Sequence, residues 1–133
     1  MLSGIRVVDI STDVAGAYAA KLFATYGADV VKVEAPGGDP TRRLPPLAGK
    51  GDGEGHAAPD QDPNAGILFA YLNAGKRSVV LNLASGDDCD ALRTLLESAD
   101  VVFDSSVPSE LSERGIDLDA LLERQPRLVV CSI

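Results

Sequence analysis

Histidine is nearly missing from this chain: His56 is the single one among 133 residues, and there are two cysteines, Cys89 and Cys131, with no CxxC spacing. That pattern excludes a zinc ribbon, a disulfide framework and any acid–base dyad that needs a well-fixed imidazole. Both cysteines sit among apolar neighbours and read as core thiols. Long apolar runs are missing too, so no stretch approaches the roughly 20 residues of a membrane span. The opening "MLSGIRVVDIS" has neither a basic leader nor a long apolar region, which makes the cytoplasm the expected location. Positive charge is scarce: 12 basic residues face 20 acidic ones, for a formal net charge of −8. A field of that sign repels polyanions, which argues against a nucleic-acid or membrane-surface binder. Any anionic ligand has to be held by a local basic cluster. Two further motifs are absent. No GxGxxG follows the first strand, so the ordinary dinucleotide fingerprint is lacking, and no GxSxG elbow surrounds Ser105 and Ser106.

What is present is an alternation of short β-branched runs and helical periods. "IRVVDIS" (5–11) reads as a strand and "VAGAYAAKLFATYG" (14–27) as a helix, with Ala19, Leu22, Phe23 and Tyr26 on one face, Thr12 or Asp13 as its cap and Gly27 at its end. "ADVVKVEAP" (28–36) supplies a second strand. A helix between two such strands favours a parallel pair. Residues 36–64, dense in glycine, proline and aspartate, read as a long flexible loop that either joins a ligand site or stays disordered. "AGILFAYLN" (65–73) then reads as a short buried helix and "SVVLNL" (78–83) as a third strand. A helix over 86–99 (Leu92, Leu95, Leu96 and Ala99 inward), a strand at "DVVFD" (100–104), a helix over 117–125 (Leu118, Leu121 and Leu122 inward) and a strand at "RLVVCSI" (127–133) follow. The expected fold is α/β: a Rossmann-like open parallel sheet of about five strands with helices on both faces, forming one domain over 1–133. A domain rarely ends inside a buried strand, so the chain is expected to be an incomplete part of a larger one.

In such sheets ligands gather outside the carboxyl ends of the strands. Lys76 and Arg77, in "LNAGKRSVVLN" (72–82), are expected to project at the sheet rim. A point charge beside a planar fork suits phosphate or pyrophosphate, and the same pair also fits a solvated charge that aids solubility. Arg42 and Arg43 form a second basic pair with the same two readings. Asp9, Asp13, Glu34 and Asp39 cluster near strand ends, but Asp13 is already explained as a cap and Glu34 as a strand-end charge, so none is assigned to catalysis. His56 in the glycine-rich loop reads as a surface residue.

Taken in order, "YGADVVKVEAPGGDPTR", "NAGKRSVVLNL" and "PRLVVCSI" resemble the amino-terminal part of the family III CoA-transferases (CaiB/BaiF type), which include formyl-CoA transferase, carnitine CoA-transferase and α-methylacyl-CoA racemase. The resemblance spans nearly the whole chain apart from 44–64. It implies an acyl-CoA substrate, no metal, and interlocked homodimers in the complete protein. The transferases of the family use an aspartate that attacks the thioester, and its racemases use an acid–base pair. Either way the catalytic residues lie beyond residue 133, so the segment alone is expected to be inactive. Carried over residue by residue, Leu72, Asn73, Lys76 and Arg77 match the segment that lines the CoA site, and Val14 and Gly16 fall in the first strand-to-helix turn beside the pantetheine path. Ala35 stands where several relatives place an arginine. In "DSSVPSE", Asp104 keeps the family's acid and Pro108 its proline, while Ser105, Ser106 and Ser109 replace the other residues of the turn. Ser105 is included among the CoA contacts. The alternative from another class is a non-catalytic α/β dimerisation or scaffold module whose CoA site has decayed.

Overall fold

The computed structural model describes residues 1–48 and 66–133. Five short strands, β1 (Arg6–Asp9), β2 (Asp29–Glu34), β3 (Arg77–Val80), β4 (Val101–Asp104) and β5 (Val129–Ser132), form one sheet in the order β3-β2-β1-β4-β5. Every pairing is parallel. The connections are α1 (Val14–Thr25), α2 (Ile67–Leu72), α3 (Gly86–Glu97), and the pair α4 (Pro108–Ser112) and α5 (Leu118–Arg124). This is the expected open α/β sheet, and its strand order reverses between β1 and β4, where such sheets bind their ligands.

Alternation along the strands sorts the core into two layers. Val7, Val30 and Phe103 pack with Ala20 and Phe23 of α1, while Val8, Val33 and Val102 pack with Cys89, Leu92 and Leu96 of α3 and with Leu111, Ile116 and Leu121. Leu118 and Leu122 of α5 and Leu95 of α3 are partly buried against this second layer. Cys89 is buried, and Cys131 is half-buried at the margin of the first.

Helix α1 departs from its expected face. Asp13 caps it as anticipated, its carboxylate accepting from the Gly16 amide at 2.7 Å, and Gly27 ends it at φ 95°. The face against the sheet, however, is Gly16, Ala17 and Ala20, whereas Leu22 and Tyr26 are exposed. The helix is apolar nearly all round, so periodicity could not choose a side. Small residues win the inner face because they let the helix approach the sheet closely.

Helix α2 is also less buried than expected. Only Leu72 reaches the core; Ile67 and Tyr71 are exposed, and Tyr71 stacks on Tyr18 of α1. The expected loop over 36–64 contains a 3-10 turn at Pro40–Arg43, capped by Asp39. Its remainder from residue 49, with His56, lies outside the described residues. Helix α4 carries no helical period of its own and falls between the expected strand at 100–104 and the expected helix over 117–125.

Candidate active site and its family

On the α1 side, the carboxyl ends of the strands carry a buried ionic cluster. Asp9 ends β1, and Lys32 and Glu34 point to the same face of β2, so strand alternation itself brings them together. Asp9, Lys32, Glu34 and Asp39 are each at most 4% exposed. Lys32 Nζ donates to the Ser11 carbonyl and lies 2.9 Å from Asp39 Oδ2 and 3.6 Å from Asp9 Oδ2. Lys76 enters the same cluster from the turn after α2. Its Nζ donates to Asp9 Oδ2 at 2.7 Å, to the Ala17 carbonyl at 2.8 Å and to Asn73 Oδ1 at 2.8 Å.

Those three bonds use all the donors that an ammonium has. Lys76 therefore does not project at the rim as its sequence suggested. It ties α1, α2 and β1 together from within. Burial pushes its ammonium below the usual lysine range, against the pull of the Asp9 carboxylate, and the nearby Lys32 charge adds to the depression.

Arg77, its sequence neighbour, goes elsewhere. As the first residue of β3 it stands at the amino edge of the sheet, where its guanidinium grips Asp29 at 2.6 and 2.7 Å. Neighbours in the chain, one in the turn and one at the start of the strand, the two serve opposite needs. The basic pair that looked like one phosphate clamp is one buried tie and one exposed ion pair.

Glu34, the last residue of β2, organises the loop that follows. Burial alone would raise its pKa. Bonds from Arg42 (2.6 and 2.8 Å), Ser78 (2.5 Å) and the Asp39 amide (2.9 Å), with the Arg42 charge, outweigh that and lower it to about 2. Arg42 also lies 3.6 Å from the centre of the Phe69 ring, so the pair clamps the 3-10 turn onto α2. Arg43 is exposed and donates to the Gly37 carbonyl.

The other expected contacts flank this cluster. Leu72 ends α2 and is buried at 1% exposure, and Asn73 holds Lys76 while donating to the Phe69 carbonyl. Val14 is exposed on the first turn of α1, and Gly16 is packed against Ser11, so closely that a Cβ would stand 2.5 Å from the Ser11 Oγ. Ser105 Oγ accepts from the Thr12 amide at 2.9 Å and so joins the loops after β1 and β4 across the switch point. Asn73 and Lys76 thus belong to the buried cluster, Gly16 and Ser105 pack on or bond to the loop after β1, Arg77 stands at the amino edge, and none of the seven expected contacts lines the cleft on the other face of the sheet.

On the α3 side, the same edge opens into a cleft of about 410 Å3. Its walls are apolar, with Ile10, Val33, Leu81, Leu83 and Leu111 prominent, and its polar groups include Thr12, Asn82, Asp104, Ser106, Glu110 and Arg114. The size suits a small-molecule group such as a nucleoside. Asp104, the last residue of β4, is 5% exposed and accepts from the amide and hydroxyl of Ser106. Sequence reasoning placed a ligand at the ends of these strands but missed Leu83, Leu111 and Arg114. Two of those come from α4 and its exit, which showed no helical period.

Among the described residues no helix is long and apolar enough to cross a membrane, and no group of histidine, cysteine and carboxylate side chains is placed to hold a metal ion.

Comparison with known proteins agrees with the geometry. The chain is 39% identical over 134 residues to the succinate–glutarate CoA-transferase of Agrobacterium fabrum, covering 99% of this chain and 32% of that protein. It is 37% identical over 132 residues to the formyl-CoA:oxalate CoA-transferase of Streptomyces coelicolor, covering 99% and 29% respectively. The crystal structure of a CAIB/BAIF family protein from Brucella suis superposes with a TM-score of 0.81 at 32% identity, over 98% of this chain and 32% of that one. The chain therefore spans about a third of the length of the curated relatives it matches. The family model for CoA-transferase family III matches residues 2–133, and the chain belongs to that family.

Proposed function

We propose that this chain is the CoA-binding part of a cytoplasmic acyl-CoA transferase, with the nucleotide end of CoA seated in the cleft between β2, α3 and α4. The observation that carries the reading is a coincidence of place. A family match over residues 2–133 falls on a sheet with an apolar-walled cleft of about 410 Å3 that opens at the carboxyl edge beside the β1–β4 switch point. Transfer is preferred to racemisation because the relatives named above are transferases.

On this reading the attacking aspartate is not supplied here. The aspartates near the edge are already committed: Asp9 to two lysines, Asp39 to Lys32 and the Thr41 amide, Asp13 to the cap of α1, and Asp104 to Ser106. A dinucleotide enzyme fits less well. Its ribose-binding carboxylate belongs at the end of the second strand, and Glu34, which stands there, is consumed by Arg42 and Ser78. Calorimetric titration with CoA and, separately, with NAD tests the proposal. Saturable binding of CoA alone supports it; binding of NAD in preference to CoA overturns it.

The scaffold alternative has one observation in its favour. Val14, Tyr18, Leu22 and Tyr26 recur every four residues along α1 and are all at least 40% exposed, a stripe suited to burial in an assembly. Dimerisation by itself does not require a decayed CoA site, and we assign the stripe to the interface of the complete, dimeric enzyme.

A further inference from the structure

Two loops meet where the strand order reverses, and among the described residues one side-chain bond joins them. The loop after β1 carries Thr12 and the loop after β4 carries Ser106, and both residues line the cleft, as does Asp104 at the end of β4. Ser105 stands between Asp104 and Ser106 but is outside that lining. Its Oγ accepts instead from the Thr12 amide at 2.9 Å.

The neighbours of both partners are already fixed. In the loop after β1, the Ser11 amide donates to Asp9 Oδ1 at 3.1 Å, the Ser11 carbonyl accepts from the buried Lys32 ammonium, and the Asp13 carboxylate caps α1. In the loop after β4, the Asp104 carboxylate accepts from the Ser106 amide at 2.8 Å and from its hydroxyl at 2.6 Å, while the Asp104 carbonyl accepts from the Ile133 amide at 2.9 Å. Ser105 is therefore presented from a braced turn. Thr12 itself is exposed, and Ser105 Oγ is the one acceptor that its amide has among the described residues. The ionic cluster behind the sheet reaches Ser11 and stops there.

From this arrangement we infer that Ser105 is a positioning residue of the cleft: it holds the backbone at Thr12 against the loop after β4 and so sets the separation of the two loops at the switch-point rim. The inference rests on the CoA reading above and deepens it. A rim ordered before the ligand arrives loses less conformational freedom on binding. Ser105 thus acts on affinity through Thr12, without touching the ligand.

The test measures amide hydrogen exchange and calorimetric binding of CoA in the wild-type chain, in Ser105→Ala and in Ser105→Thr. The alanine variant lacks the acceptor, so its Thr12 amide should exchange about tenfold faster or more, by a larger factor than the Val7 and Val8 amides of β1. It should bind CoA about three- to tenfold more weakly, with the loss in the entropy of binding. Threonine keeps the oxygen and should restore most of both. A Thr12 amide that Ser105→Ala leaves unchanged, or one that speeds up only as much as Val7 and Val8, overturns the tie. A faster Thr12 amide with unchanged CoA affinity overturns the positioning role while the CoA reading stands. Failure of the wild-type chain to bind CoA overturns that reading and this inference with it, whatever the Thr12 amide does.

Discussion

Lys76 Nζ stands 2.7 Å from Asp9 Oδ2, with the two side chains 1% and 0% exposed. Lysine meets aspartate here at the junction of α1, α2 and β1, with Asn73 and the Ala17 carbonyl completing the ammonium's bonds. The segment that looked like a ligand clamp is thus a fastening of the fold. Removing one partner of such a pair leaves a buried charge uncompensated, although Lys32 at 3.6 Å offers Asp9 part of the balance. Lys76→Met should therefore cost about 3 kcal/mol or more in urea unfolding, and Lys76→Met with Asp9→Asn together should recover much of that loss. A Lys76→Met protein as stable as the wild type would mean that the tie has no structural weight.

Arg77 gives the contrasting case. Its pair with Asp29 is exposed, the side chains being 66% and 40% accessible. Arg77→Ala should change stability by no more than about 1 kcal/mol and should leave CoA affinity where it was. A severalfold loss of affinity would return Arg77 to the ligand site.

The fold was legible in the sequence because its signals are local. Val7, Val8, Val30, Val33 and Val102 occur in short β-branched runs, and the runs alternate with helical periods. The site was less legible. "GKRS" reads the same whether Lys76 turns inward or outward, and the choice is made by Asp9, 67 residues away in the chain. Likewise the inner face of α1 is decided by how closely Gly16, Ala17 and Ala20 let it approach the sheet, which no periodicity reveals. Arg114 gave no signal at all, since it lies just past a five-residue helix.

Acid should act through Glu34. Its folded pKa, about 2, is below the ordinary 4.5, so its contribution to stability is complete above the ordinary value and fades as pH falls from about 4.5 towards 2. Glu34→Gln should be less stable than wild type at pH 7, and the gap should narrow across that window. Urea unfolding of both proteins from pH 7 to pH 2.5 measures it; a gap that stays constant with pH would show that the carboxylate's charge is not what stabilises the loop.

Gly16 has no room for a side chain. An added Cβ would stand 2.5 Å from the Ser11 Oγ, beside the cap that Asp13 makes. Gly16→Ala should cost about 1–3 kcal/mol by forcing α1 off the sheet, and Gly16→Ala with Ser11→Gly should restore part of it. Thermal melts of the two variants check this, and a single variant that melts with the wild type would contradict the close packing.

On the proposed reading, CoA binds in the cleft beside the switch point. Ala84 is exposed and lines that cleft after β3, so Ala84→Trp fills the opening without entering the core. Calorimetric titration of CoA into the wild-type chain and into Ala84→Trp is the most direct measurement. Saturable binding by the first and loss of binding by a folded second are expected; equal binding by both would show that CoA sits elsewhere.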